Sequence, residues 1–296
     1  MTDGPPRGDR NRSALPVIAL IAGMLVHAVS ARADTILEQV SFPGLGRDGR
    51  RLTALMSRPE GAGPFPAAVL LHGCSGMFAK NGRLNARQRY WDDTLRNAGF
   101  VTLHVDSFSP RGVKEICTLK DRPVTVWDDR RSDAYAGLSF LKSFAFVRPD
   151  AIAALGWSNG GSAVLAAMDR EGLPGGDGFY AGIAVYPACR WKGKKRLNPS
   201  GPLLLLLGEA DDWTPPDRCE PLVGNARERG ETVEVKIYPG AFHGFDWPGN
   251  ELHLRRGLAL VRGGAAHVGE NPAARLDAAE RVTEFLERHL PRSTPQ

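Results

Sequence analysis

The stretch from Ala151 to Met168 constrains the fold of this chain more than any other. It reads Ala-Ile-Ala-Ala-Leu, then Gly156-Trp157-Ser158-Asn159-Gly160-Gly161, then Ser-Ala-Val-Leu-Ala-Ala-Met. The apolar run predicts a buried strand, and the small-residue run after Gly160 predicts a helix over Gly160–Met168. Only a sharp turn joins them. Gly156, Gly160 and Gly161 are what such a turn needs, because the strand and helix backbones crowd together there. A strand feeding a helix through a tight turn is an α/β building block.

The rest of the chain repeats that alternation. Thr35–Phe42 and Arg51–Ser57 predict an antiparallel lead-in around the glycine-rich turn Gly44–Gly49. Ala67–Leu71 is a compact apolar run that predicts a strand, Ile183–Tyr186 and Leu203–Leu207 predict further buried strands, and Phe100–Val105 and Val233–Tyr238 predict two more. Leu84–Ala98, Val126–Ser143, Pro216–Arg229 and Ala273–Leu290 carry helical spacing, with Ala134, Leu138 and Leu141 on one face of the second. Continuous apolar strands alternating with helices imply a mostly parallel central sheet covered by helices on both faces. No internal repeat or linker divides the chain after its N-terminus. Residues Pro248–Asn271, with five glycines, predict a surface loop or a flap near the site.

The N-terminus reads differently. Arg7, Arg10 and Arg12 precede an apolar stretch, Ala14–Val29, and then Ser30-Ala31-Arg32-Ala33. A basic lead, an apolar core and an Ala-x-Ala site are the marks of a secretory signal peptide, with cleavage predicted after Ala33. The competing reading is an uncleaved anchor. The stretch is short for a span of roughly 20 residues, and Pro16 and His27 interrupt it. The expectation is a periplasmic or secreted protein of one domain, residues 34–296, with no stable membrane anchor once the leader is removed.

Charge excludes more than it suggests. The formal net charge is +5, and the densest basic block is Lys192-Gly-Lys194-Lys195-Arg196. A block that short predicts a solvated loop, so no nucleic-acid partner is expected. Four cysteines, Cys74, Cys117, Cys189 and Cys219, permit two disulfides in an exported chain, with three connectivities. The order of elements favours Cys74–Cys117 and Cys189–Cys219, because each pair would follow neighbouring strands. Buried free thiols are the alternative. No pair has the close spacing of a zinc site, and no metal or cofactor is expected.

Gly-Trp-Ser-Asn-Gly fits the G-x-S-x-G pattern that exposes a nucleophilic serine between a strand and a helix. A serine hydroxyl is a weak nucleophile at neutral pH. It needs an imidazole base, and the base needs a carboxylate to orient it. Asp211 follows the Leu203–Leu207 strand, and His243 follows Val233–Tyr238, so both fall at the carboxyl edge of the sheet, where ligands bind. An Asp before a helix is often an N-cap. Asp211 is preferred for catalysis because it is nearer the strand end, leaving Asp212 for capping. His253 and His267 rival His243 but lack a preceding strand. His72 and His104 lie in or beside strands, where packing explains them. The oxyanion formed on attack needs two donors. The candidates are the backbone N–H groups of Asn159 and, in the loop His72-Gly73-Cys74-Ser75-Gly76, of Cys74.

Five blocks, Leu-His-Gly-Cys-Ser-Gly, Val-Asp-Ser-Phe-Ser-Pro-Arg-Gly, Gly-Trp-Ser-Asn-Gly-Gly-Ser, Gly-Glu-Ala-Asp-Asp-Trp-Thr-Pro and Tyr-Pro-Gly-Ala-Phe-His-Gly-Phe-Asp, come in one order. Over roughly residues 50–290 they resemble the dienelactone hydrolase family of α/β-hydrolases, and its exported serine members in particular. The resemblance implies the α/β-hydrolase fold and a triad of Ser158, His243 and Asp211. Dienelactone hydrolase proper carries a cysteine nucleophile where this chain has Ser158. That points to cleavage of a small-molecule carboxylic ester in general, with lactones as one case. Arg111, in the Ser-Pro-Arg-Gly block, is a candidate contact for a substrate carboxylate, with a structural loop role as the alternative. Trp157 and Trp213 join it as candidate substrate contacts. A prolyl-oligopeptidase-like peptidase is the second enzyme reading, ranked lower because such relatives normally carry a large extra domain for which the predicted mature chain leaves no room. A non-catalytic binding protein is disfavoured because all three triad positions are filled.

Overall fold

The alternation of apolar runs and helices becomes one eight-stranded sheet. The computed structural model describes residues 1–4, 37–173, 178–189 and 197–291. The basic lead from Arg7, the apolar stretch and the cleavage site of the predicted leader lie outside these residues, as does the Lys192–Arg196 block. Contacts divide the chain at Thr35/Ile36, and the fold described here is that of Ile36–Gln296. Among the described residues, no helix is long and apolar enough to cross a membrane.

Strands β1 (Glu38–Pro43), β2 (Arg51–Ser57), β3 (Phe65–Leu71), β4 (Val101–Asp106), β5 (Val147–Trp157), β6 (Gly182–Val185), β7 (Leu203–Gly208) and β8 (Val233–Tyr238) are arranged in the order β1-β2-β4-β3-β5-β6-β7-β8. The β1–β2 and β2–β4 pairs are antiparallel, as the predicted lead-in requires. Every pairing from β4 to β8 is parallel. Helices α1 (Ala86–Asn97), α2 (Arg131–Lys142), α3 (Asn159–Met168), α4 (Glu220–Glu228) and α5 (Pro272–His289) cover the two faces.

Side-chain alternation along each strand sorts the core into two layers. Ala67, Val69 and Leu71 of β3 join Leu103 and Leu205 under Leu138, Val164 and Leu222, from α2, α3 and α4. Ala68, Leu70, Ala153 and Leu155 pack with Leu204 and Leu206 against Trp91 of α1 and Val282 and Phe285 of α5. Burying both faces is why β3, β6 and β7 carry no polar alternation, while the alternating Thr102, His104 and Asp106 of β4 are buried as well.

Two departures from the expected elements matter for the site. The helix expected over Val126–Ser143 begins with a π-helical turn, Val126–Arg130, before α2 takes over. Part of Pro248–Asn271 forms a short hairpin, β9 (His253–Arg256) with β10 (Ala265–Val268). It is anchored beside the sheet edge: Val268 bridges His243, and the Gly269 N–H donates to the His243 carbonyl at 3.1 Å.

Candidate active site

Ser158 occupies the turn between β5 and α3 with φ 54° and ψ −114°, a strained conformation for a residue with a Cβ. The turn closes because its neighbours have no side chains. A Cβ on Gly156 would sit 2.4 Å from the Gly160 carbonyl oxygen, and one on Gly160 would sit 1.9 Å from the Leu71 carbonyl oxygen. The Ser158 N–H donates to the Val185 carbonyl at 2.9 Å, which pins the turn to β6.

The loops after β7 and β8 bring Asp211 and His243 to the same edge. Ser158 Oγ lies 3.0 Å from His243 Nε2, and His243 Nδ1 lies 2.8 Å from Asp211 Oδ2. Asp211 has no proton to give, so Nδ1–H donates to it and Nε2 is left to accept from the serine hydroxyl. Asp211 also accepts from the N–H groups of Trp213 (2.9 Å) and Thr214 (2.8 Å) and from the Thr214 hydroxyl (2.8 Å). Burial alone would raise the Asp211 pKa. The charge and hydrogen bond of His243, with those donors, hold it below the usual aspartate value. All three residues are buried, at 6%, 4% and 3% exposure for Ser158, His243 and Asp211.

The imidazole is held by rings as well. The ring of Tyr186 lies 4.5 Å from it and that of Trp213 4.6 Å, centroid to centroid. The Tyr186 hydroxyl donates to Asp246, a fully buried carboxylate that also accepts from Trp91 Nε1 at 2.7 Å. Arg87 Nη1 reaches the Tyr186 hydroxyl at 3.2 Å. Thr214, Tyr186, Asp246 and Arg87 were absent from the sequence expectation. Trp213 stands two residues after Asp211, the spacing at which an Asx turn returns a backbone donor, and Thr214 follows it directly, so the local donors to Asp211 carry a sequence signal.

A cavity of about 220 Å³ opens at Ser158. Val126, Trp127, Leu165 and Leu260 give it apolar walls, and Trp213, Arg122 and Arg218 also line it. A second, narrower cleft of about 20 Å³ lies between Ser158 and His243, bordered by Gly73, Trp247 and Arg255. Cys74 and Asn159 both face the cavity. The Gly73–Cys74 turn passes so close that a Cβ on Gly73 would sit 3.6 Å from the Ser158 Cβ.

Three expectations place differently. Trp157 lines neither the cavity nor the cleft. It continues the β5 alternation of Ala153 and Leu155 into the layer under α1, fully buried with its ring 5.9 Å from that of Trp91. Arg111 does not line them either, because its guanidinium is bound in a fork by Asp133 at 2.8 and 3.0 Å. Asp212 caps no helix. It accepts from the N–H and Nδ1 of His267, both at 2.8 Å, while the caps of the following helical turns are Pro215 and Cys219. Trp213 does line the site. Both cysteine pairs form as expected, Cys74–Cys117 and Cys189–Cys219. Among the described residues, no group of three His, Cys, Asp or Glu side chains is placed to hold a metal.

The chain resembles known proteins over most of its length. A curated relative from Bradyrhizobium, a probable 2-oxo-3-(5-oxofuran-2-ylidene)propanoate lactonase, is 26% identical over 214 residues, or 68% of this chain and 82% of that protein. Among solved structures, a putative dienelactone hydrolase from Klebsiella pneumoniae superposes with a TM-score of 0.63 at 18% identity, covering 86% of this chain and 99% of the other. A propionate-bound esterase from Thermogutta terrifontis does so at 0.60 and 19% identity, covering 87% and 97%. At those identities the structures establish the shared fold. The dienelactone hydrolase family model matches residues 52–290, and the chain belongs to that family.

Proposed function

We propose that this protein is a metal-free serine hydrolase that cleaves a carboxylic ester or lactone through an acyl-enzyme on Ser158. The observation that carries this reading is the unbroken chain from Ser158 Oγ through His243 to Asp211 Oδ2, with 3.0 and 2.8 Å links. Attack of Oγ on the substrate carbonyl passes the hydroxyl proton to Nε2 and places the negative charge on the carbonyl oxygen. Collapse expels the alcohol, which takes the Nε2 proton. Water then gives its proton to Nε2, attacks the acyl carbonyl, and the acid leaves as Ser158 recovers its proton. Asp211 holds the imidazole tautomer and stabilises the imidazolium. The Asn159 and Cys74 N–H groups are the oxyanion donors of this scheme.

The two spaces at Ser158 support a division of labour. The 220 Å³ cavity is smaller than the usual range for drug-sized ligands, which suits a compact acyl group. The 20 Å³ cleft against His243 has room for about one water, the size the deacylation step of this scheme requires. Similarity to a lactonase and to an esterase supports the ester or lactone class. Two disulfides fit an oxidising compartment, and with the leader read from the sequence they support an exported, single-domain protein.

Turnover of a panel of p-nitrophenyl esters and small lactones tests the reading. Wild type should hydrolyse short-chain members, and Ser158→Ala and His243→Ala should lose at least about 10³-fold in kcat. Equal turnover by either variant would remove the proposal.

A further inference from the structure

Arg130 is fully buried at the end of the π-helical turn that precedes α2. Its Nη1 donates to two acceptors at once, the His72 carbonyl at 2.6 Å and Asn159 Oδ1 at 2.8 Å. Those acceptors belong to the two segments that carry the oxyanion donors. His72 stands two residues before Cys74 in the loop after β3, and Asn159 directly follows the nucleophile. One guanidinium nitrogen therefore links the two segments directly.

The surroundings make this clamp stiff and charged. Phe108 lies under the guanidinium at 5.3 Å and meets the His72 ring edge-on at 4.4 Å. Burial and the Arg130 charge push the His72 pKa well down, so its ring is neutral; Nδ1–H donates to the Gly73 carbonyl at 2.9 Å and Nε2 accepts from the Ser107 N–H at 3.2 Å. Burial lowers Arg130 to about 10, which leaves it protonated at neutral pH. Its Nε and Nη2 have no hydrogen-bond partner. The nearby carboxylates of Asp133 and Asp106 favour its charged form across space, but their hydrogen bonds go to Arg111 and to the N–H groups of Phe108 and Ser109. A buried cation without a bonded counter-charge is expensive. It is expected where its charge has work in the reaction cycle, and π-turns recur at such places. The charge that appears on the substrate oxygen between Cys74 and Asn159 is of the opposite sign.

We infer that Arg130 is the positioning residue of the oxyanion hole, holding the Cys74 and Asn159 segments in register and lending a buried positive charge to the tetrahedral intermediate. The inference rests on the ester-hydrolase reading of Ser158. Arg130→Met, Arg130→Lys and Asn159→Ala are compared with wild type for kcat and KM on one p-nitrophenyl ester, and for affinity to an alkyl boronic acid, whose tetrahedral adduct on the serine places an oxygen in the hole. Arg130→Met should lower kcat by about 10²-fold with KM nearly unchanged, and boronate affinity should fall in proportion to kcat/KM. Arg130→Lys should recover part of both. Asn159→Ala keeps the backbone N–H and the arginine but cuts one arm of the clamp. It should lower kcat and boronate affinity together by about 10-fold, and it decides the matter if Arg130→Met does not fold. Unchanged kcat in the variants, or a fall in kcat with boronate affinity intact, overturns the inference while Ser158→Ala remains dead. Wild-type turnover persisting in Ser158→Ala would instead overturn the reading of the site, and the inference with it.

Discussion

The hydroxyl of Tyr186 donates to the buried carboxylate of Asp246, and the ring of the same tyrosine lies 4.5 Å from the imidazole of His243. Asp246 stands three residues after His243, so one short segment supplies both the imidazole and the carboxylate that fixes its ring neighbour. Trp91 Nε1 donates to the other oxygen of Asp246 and ties the pair to α1. Tyr186→Phe keeps the ring and removes one donor from a buried carboxylate. It should cost about 1–3 kcal/mol in urea unfolding. An unchanged midpoint would mean that the hydroxyl contributes nothing to holding this face of the site.

Asp211 and Asp212 are neighbours with separate tasks. Asp211 binds His243 and is sealed by Thr214, whereas Asp212 faces His267 and solvent. Asp211→Asn should lower kcat by about 10⁴-fold, because the amide selects the wrong imidazole tautomer. Asp212→Asn should leave kcat within about twofold, since it loosens only a half-exposed pair. Steady-state kinetics on a single ester checks both.

The two halves of the site were legible in the sequence to different degrees. Ser158 and Asp211 each follow an apolar run of the kind that parallel strands buried on both faces leave, and His243 follows an edge strand in which Glu234 and Lys236 alternate with apolar residues. The β9–β10 hairpin was not visible, because its strands span only four residues and carry exposed side chains such as Leu254 and Arg256. Arg87 and Arg130 were missed for another reason. Arginines are expected at the surface, and nothing in the spacing says that β3, α1 and the π-turn would enclose them. Trp157 was misplaced because adjacency to a serine in sequence is not adjacency to its hydroxyl in space. Strand alternation carries its ring to the layer beneath α1.

Both disulfides border the cavity through Cys74 and Cys189. Cys74–Cys117 anchors the loop that carries one oxyanion candidate, and Cys189–Cys219 ties the segment after β6 to the turn before α4. With sequence separations of 43 and 30 residues, each should contribute about 3–4 kcal/mol by restricting the unfolded chain. Urea unfolding with and without reductant should show a large drop in midpoint, and ester turnover should fall in parallel. Full activity after complete reduction would show that the cavity walls hold without their crosslinks.

Asp92 sets an acid limit to stability. Burial would raise its pKa, but the hydrogen bond and charge of His104, with the hydroxyls of Thr102 and Ser57, hold it below the usual 3.8. A carboxylate with a depressed folded pKa stabilises the native state above its unfolded value, and that contribution is lost as pH falls through the folded value. Asp92→Asn should therefore cost on the order of 3 kcal/mol at neutral pH. The gap to wild type should narrow as pH falls below the usual aspartate value and through the lower folded one, where Asp92 protonates in both states. A gap independent of pH would place the effect in packing instead of charge.

The central claim is that Ser158 is the nucleophile. Intact-protein and peptide mass spectrometry after treatment with a fluorophosphonate measures it directly. One adduct per chain, carried by the peptide that contains Ser158 and absent from Ser158→Ala and His243→Ala, is the predicted result. An adduct that persists in Ser158→Ala, or one that maps to a different residue while ester turnover continues, would contradict it.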